Sequence, residues 1–236
     1  MVIVPEEFRT VVLVDKFQHA QDVCGSVAQK ADTVALFFSG GKDSVALLDI
    51  MAPYFKKIWL VNMYFVEGLE HINKFVEAAC VRYPNAEPYY TEHWIVNQIK
   101  KGGLYCMPDY SLKNIKLLDV DNKIRKELNV DYTFYGMKRA DSLNRAMMLK
   151  SYICGISKTN KVYPLELLGN NDVLAYIRMK RLSKPIEYSK SKKSQGVIFN
   201  KEVYSYLSQN YPQDLEKIYQ KFPLSKRILF EDAEQI

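Results

Sequence analysis

Six consecutive residues, Ser39-Gly40-Gly41-Lys42-Asp43-Ser44, combine the groups needed to hold an anion. Gly40 and Gly41 let the backbone turn sharply and come close to a ligand with no Cβ in the way. Ser39 and Ser44 add hydroxyl donors, and Lys42 adds an ammonium. Where such a run opens a helix, its free first-turn amides and the helix dipole attract phosphate oxygens. Asp43 belongs beside an anion only if it caps the helix or helps to hold a bridging magnesium ion. The spacing is not that of the Walker loop, which needs four residues between its first Gly and its Gly-Lys pair.

A second cluster lies further along, in Tyr135-Gly136-Met137-Lys138-Arg139-Ala140-Asp141-Ser142-Leu143-Asn144-Arg145. Lys138, Arg139 and Arg145 bring three cations together, and the Arg forks suit phosphate or sulfate oxygens. Ser142 could donate a hydroxyl. The plainer reading is a solvated first helical turn in which Asp141 and Arg145 form an i,i+4 pair. A third basic run, from Lys180 to Lys193, holds Lys190, Lys192 and Lys193. It reads either as solvated surface or as a loop closing over phosphates.

To act together, these clusters need a scaffold that brings them to one edge. Thr33–Phe38 is a continuous apolar run, the mark of a strand covered on both faces. The glycine turn follows it, and Val45–Met51 is apolar nearly all round, as in a helix buried against a sheet. Strand and helix signals then alternate: strands at Lys57–Val66, Glu87–Thr91, Asp131–Gly136 and Lys161–Leu165, and helices at Glu70–Arg82, Ile95–Lys101, Lys116–Leu128, Ser142–Tyr152 and Asp172–Lys180. Asn170, Asn171 or Asp172 is expected to cap the last of these helices. The alternation predicts a Rossmann-like three-layer α/β/α fold with a mostly parallel five-stranded sheet. Residues 1–30 read as a helical lead-in, 31–200 as the nucleotide-binding α/β domain, and 201–236 as a C-terminal helical appendage broken at Pro212. Open sheets of this kind bind ligands where a strand feeds a loop at the switch in strand order, and both clusters follow strands.

The composition narrows the classes. A chain of 236 residues can bury a sizeable core. The net charge of +6 suits a polyanionic ligand, and nucleic acid is compatible but not required. Aromatic residues make up 13%, which fits a packed core or a base-stacking surface, and the core reading is the commoner one. Cys24, Cys80, Cys106 and Cys154 form no CxxC pair, against a zinc ribbon, a disulfide scaffold or a thioredoxin-like site. No apolar run approaches a membrane span, and the N-terminus lacks a secretion-signal layout, so a cytoplasmic protein with no membrane partner is expected. The possibility of a homo-oligomer stays open.

Ser39–Ser44 resembles the PP-loop (SGGxDS) of the adenine-nucleotide alpha-hydrolase superfamily. With Lys in its fourth position, it is most similar to the phosphoadenosine phosphosulfate reductase family. Tyr135–Arg145 resembles that family's G-x-R-x-x-E-S-x-x-R segment. Lys161–Pro185 resembles its Y-P-L…D-V-x-x-Y-I…L-P segment, and Tyr188–Gly196 its basic Ser- and Gly-containing loop. The resemblance spans roughly residues 30–200. It implies a nucleotide site of Phe38, Ser39, Gly40, Gly41, Lys42, Asp43, Ser44, Met63, Gly136, Lys138, Arg139, Asp141, Ser142, Arg145 and Lys193. The adenine is then expected near Phe37, Phe38 and Leu60–Met63, held largely by backbone groups.

Two features depart from the family. Its reductases use a C-terminal thiol in a Glu-Cys-Gly-x-His segment, and this sequence has no Cys after Cys154; Val197 stands where relatives often have Cys. Sulfonucleotide reduction is therefore not expected. The cofactors expected are ATP, or a related adenine sulfonucleotide, and magnesium at Asp43, without an iron–sulfur cluster. Two readings remain. One is an ATP pyrophosphatase-type enzyme, in which Lys42 and Arg145 stabilise charge at the α-phosphate for an unknown acceptor. The other is a non-catalytic nucleotide sensor.

Overall fold

The computed structural model describes residues 6–183 and 199–230, and the side chains from residue 16 onward within the first helix. Helix α1 (Glu6–Ala28) leads into strand β1 (Thr33–Phe37) and helix α2 (Lys42–Met51). Strand β2 (Lys57–Tyr64), α3 (Glu70–Arg82), β3 (Ala86–Glu92), α4 (Val96–Lys101) and α5 (Leu117–Leu128) follow. The chain continues through β4 (Thr133–Phe134), α6 (Leu143–Lys150), β5 (Lys161–Val162) and α7 (Asn170–Met179). It ends in α8 (Lys201–Asn210) and α9 (Pro212–Lys221).

The five strands form one all-parallel sheet in the order β3-β2-β1-β4-β5. The expected fold class is therefore observed. From β1 the chain moves outward through β2 and β3, then returns to lay β4 on the other side of β1. The switch in strand order thus falls between β1 and β4, the place where such sheets open a ligand crevice.

Alternation along each strand separates two cores. Val34 and Leu36 of β1 face α1, α2 and α7, where Val23, Val27, Leu47, Ile50, Val173 and Ile177 are buried. Ala35 and Phe37 face the opposite layer, with Val120 and Ile124 of α5 and Leu149 of α6. Burying one such aliphatic side chain contributes about 1.5–3 kcal/mol. A third cluster joins Val203, Tyr204, Leu207, Leu215, Ile218 and Phe222 of the C-terminal segment to Val66, Leu69 and Val96, beyond the ends of β2 and β3.

Several boundaries differ from the sequence expectation. Helix α2 begins at Lys42, so Lys42, Asp43 and Ser44 lie on its first turn rather than in a preceding loop. Strands β4 and β5 shrink to two paired residues each, because only those make ladder bonds. Helix α7 is capped at Gly169, whose N–H donates to Asp172 Oδ2 at 2.8 Å; none of Asn170, Asn171 and Asp172 is itself the cap. The break expected at Pro212 is where α9 starts, with Pro in the first turn, where its missing N–H costs nothing. The expected loop at 183–200, with Lys190, Lys192 and Lys193, lies almost entirely outside the described residues. No helix among the described residues is long and apolar enough to cross a membrane.

Candidate functional site

The glycine turn after β1 takes the form its composition requires. Gly40 sits at φ +71°, a backbone conformation that favours glycine. Gly41 is the N-cap of α2, and no side chain caps the first-turn amides. Ser39 Oγ accepts from Gly41 N at 3.2 Å, and Ser44 Oγ donates to the Gly41 carbonyl at 2.9 Å. The seryl groups therefore brace the turn, and the amides of the helix start remain for an incoming anion.

The segment after β4 lies directly against this helix start. A Cβ on Gly136 would come within 3.2 Å of both the carbonyl carbon and the Cβ of Asp43, so any larger residue would require one of the two segments to shift. Lys138, completely buried, then reaches between two carboxylates. Its Nζ is 2.6 Å from Asp43 Oδ1 and 3.0 Å from Asp141 Oδ1, as ion pairs that are close but not aligned as hydrogen bonds. Lys42 Nζ donates to the other Asp43 oxygen at 2.7 Å. Arg145 Nη1 donates to Asp141 Oδ2 at 2.8 Å, and the Lys138 N–H reaches the same oxygen at 2.9 Å. Burial opposes ionisation of Asp141, but the Lys138 N–H, the Lys138 ammonium and Arg145 outweigh it and hold its carboxyl below the usual carboxylate value.

The expected site residues therefore divide by what they face. Ser39, Gly40, Gly41 and Lys42 form the turn and the start of α2, and Arg145, 44% exposed along its side chain, is held by Asp141 on the segment after β4. Asp43 and Asp141 each engage two cations. Both Asp43 oxygens are held by ammonium groups, so a magnesium ion there would have to displace them. Ser142 N-caps α6 by accepting from Arg145 N at 3.2 Å. Arg139 is turned elsewhere: Glu166 Oε2 accepts from its Nη2 at 2.6 Å and its Nε at 3.0 Å. Phe38 is buried in the first core and offers the site only its backbone. Lys193 lies outside the described residues.

Beside the cradle, beyond the end of β2, is a cavity of about 310 Å³. Ser39, Asn62, Met63, Phe65, Tyr90 and His93 are among its walls. Asn62 Nδ2 donates to the Phe38 carbonyl at 3.0 Å, which fixes the amide and leaves Oδ1 as the acceptor it offers. His93 stacks on Phe65 with ring centroids 4.8 Å apart, and its Nδ1 accepts from Ile95 N at 3.2 Å. Burial holds its imidazole below the usual value, so it is neutral, with its proton on Nε2.

Support for this cavity comes from a segment that carries no motif. Asp214 of α9, buried, accepts from Glu70 N and His71 N at 2.9 Å each and from His71 Nδ1 at 2.7 Å, which caps α3 from a distant part of the chain. Lys217 Nζ reaches the carbonyl of Gly68 in the same cavity wall. Asp214 sits in the helical pattern of α9 like any solvated acid, and only its place three residues after the Tyr211–Pro212 break could have marked it.

The sequence profile of the phosphoadenosine phosphosulfate reductase domain matches residues 33–190, from β1 to beyond α7. The chain belongs to the phosphoadenosine phosphosulfate reductase family. No curated protein resembles it closely enough to register as a match. Among solved structures, the U34-tRNA thiolase NcsA from Methanococcus maripaludis, with its [4Fe-4S] cluster, is similar in fold. It has a TM-score of 0.50 and 18% identity, over 91% of this chain and 78% of that one. The phosphoadenylyl-sulfate reductase from Candida auris, in a phosphate complex, aligns with a TM-score of 0.49 and 14% identity, over 78% of this chain and 90% of that one.

The thiolase corrects one expectation. A protein of this fold carries an iron–sulfur cluster, so the expected cofactor set, which left such a cluster out, does not stand. Among the described residues of this family member, no three His, Cys, Asp or Glu side chains group together to hold a metal. Cys24 and Cys106 are buried in separate cores, Cys80 is half-buried, and Cys154 is exposed.

Proposed function

We propose that this chain binds ATP across the crevice and cleaves it at the α-phosphate, transferring the adenylyl group to an acceptor. The observation that carries this reading is the junction at Ser39. On one side lie the uncapped start of α2, Lys42 and Arg145; on the other lies a walled cavity large enough for a base. The phosphates rest on the α2 amides, where the helix dipole favours negative charge. The base enters the cavity, where Asn62 Oδ1 accepts from an amino group and would repel a carbonyl oxygen.

In the reaction, the acceptor's nucleophile bonds to the α-phosphorus while the bond to the β-phosphate bridging oxygen breaks, and pyrophosphate departs with the electron pair. The protein's part is positioning and charge stabilisation. Lys42, at the cradle, faces the departing pyrophosphate, and Arg145 faces it from the opposite wall.

The test is pyrophosphate release from ATP in magnesium buffer, across candidate acceptors that include tRNA and free nucleosides. The expected result is pyrophosphate in step with adenylylated acceptor. Tight ATP binding without either product for any acceptor would support a nucleotide sensor instead.

A further inference from the structure

Five side chains cross the β1–β4 crevice in strict alternation of charge: Lys42, Asp43, Lys138, Asp141 and Arg145. The outer cations reach solvent, and the central one does not. The two acids come from opposite sides of the crevice, Asp43 from the first turn of α2 and Asp141 from the 3-10 turn Arg139–Asp141 after β4. Each gives one oxygen to Lys138 and the other to an outer cation. Lys138, completely buried, could reach a ligand only by giving up its pairs with Asp43 and Asp141.

We propose that Lys138 is a positioning residue. It holds both carboxylates so that Lys42 and Arg145 stay available to phosphate, and it does not itself touch the nucleotide. The inference rests on the ATP-binding reading above. Without the central ammonium, each acid keeps one cation only and binds it more tightly, in competition with the ligand's phosphates.

The experiment measures ATP and adenosine affinity by calorimetry for the wild-type chain, Lys138→Met, Lys138→Arg and Lys138→Met/Asp141→Asn. Lys138→Met should weaken ATP about tenfold or more, the scale of a lost charge-assisted contact, and adenosine by less than about twofold. Lys138→Arg, which keeps the charge, should stay within about threefold of wild type for ATP. The double variant should recover most of the ATP affinity, because neutralising Asp141 releases Arg145. Equal losses for ATP and adenosine would reduce Lys138 to a structural role. Failure of the double variant to recover would mean direct contact with phosphate. Should Lys138→Met not fold, a tenfold loss in Lys138→Arg would overturn the proposal by itself. Absence of ATP binding by the wild-type chain would remove the underlying reading, and this one with it.

Discussion

The β1–β4 side of the crevice is made of charges supplied by two short runs of sequence, whereas the β2–β3 side is made of rings and aliphatic groups supported by a distant segment. On the first side, Lys42 through Asp43 and Lys138 through Arg145 meet across a glycine contact at Gly136. On the second, Met63, Phe65, Tyr90 and His93 line a cavity whose outer wall is fixed by Asp214 and Lys217 of α9. The charged half draws on two short turns that each pair their own acid with their own cation, Asp43 with Lys42 and Asp141 with Arg145. An apolar half needs a second layer behind it, and here that layer is α8, α9 and the turn that follows them.

If this contrast holds, the largest single loss of stability should come from the C-terminal support. Phe222 is completely buried in the third cluster, and Phe222→Ala should cost about 3–5 kcal/mol. Chemical denaturation would read this directly. A loss below about 1 kcal/mol would mean that the appendage is only loosely attached.

Next in size is an effect confined to chemistry. Lys42→Ala or Arg145→Ala should lower turnover about 100-fold, the scale of losing one preorganised contact to developing charge. ATP affinity should fall only about tenfold, because the α2 amides still hold the phosphates. Equal losses in turnover and affinity would place both cations in ground-state binding alone.

The smallest effect is a pH dependence on the apolar side. His71 is held below the usual imidazole value by burial, against the pull of Asp214. Its unfolded form takes up a proton first, so this contribution is complete above about pH 6.5 and falls away as the pH drops toward the depressed folded value. Asp214 is buried, but the N–H of His71, its imidazole and the N–H of Glu70 hold it below the usual carboxylate value. Its contribution is lost below about pH 4. A melting-temperature profile should show the upper step, and His71→Gln should remove it. An unchanged profile in that variant would contradict the role given to the pair.

The same contrast decides what could be read from the sequence. The parallel α/β sheet needed only alternating patterns, and the glycine turn needed six adjacent residues, so both were legible, whereas the strand order was not among the expectations. Arg139 was placed with the ligand cations because nothing in its own neighbourhood reveals Glu166, which takes its guanidinium. Lys138 was expected to face phosphate, but its burial follows from Gly136 closing on Asp43, a contact between two motifs read separately. The cavity's support was invisible because Asp214 and Glu70 lie 144 residues apart and neither carries a motif. Short strands β4 and β5 were overextended because apolar runs continue past their last ladder bond.

The central claim is that one adenine nucleotide spans both halves, its phosphates on α2 and its base against Asn62. Calorimetric titration of the wild-type chain with ATP and with GTP tests this most directly. The account places the six-position of the base at Asn62 Oδ1, where adenine offers an amino group and guanine a carbonyl oxygen, and so predicts saturable binding of ATP at least about tenfold tighter than that of GTP. Equal affinities, or tighter binding of GTP, would contradict it.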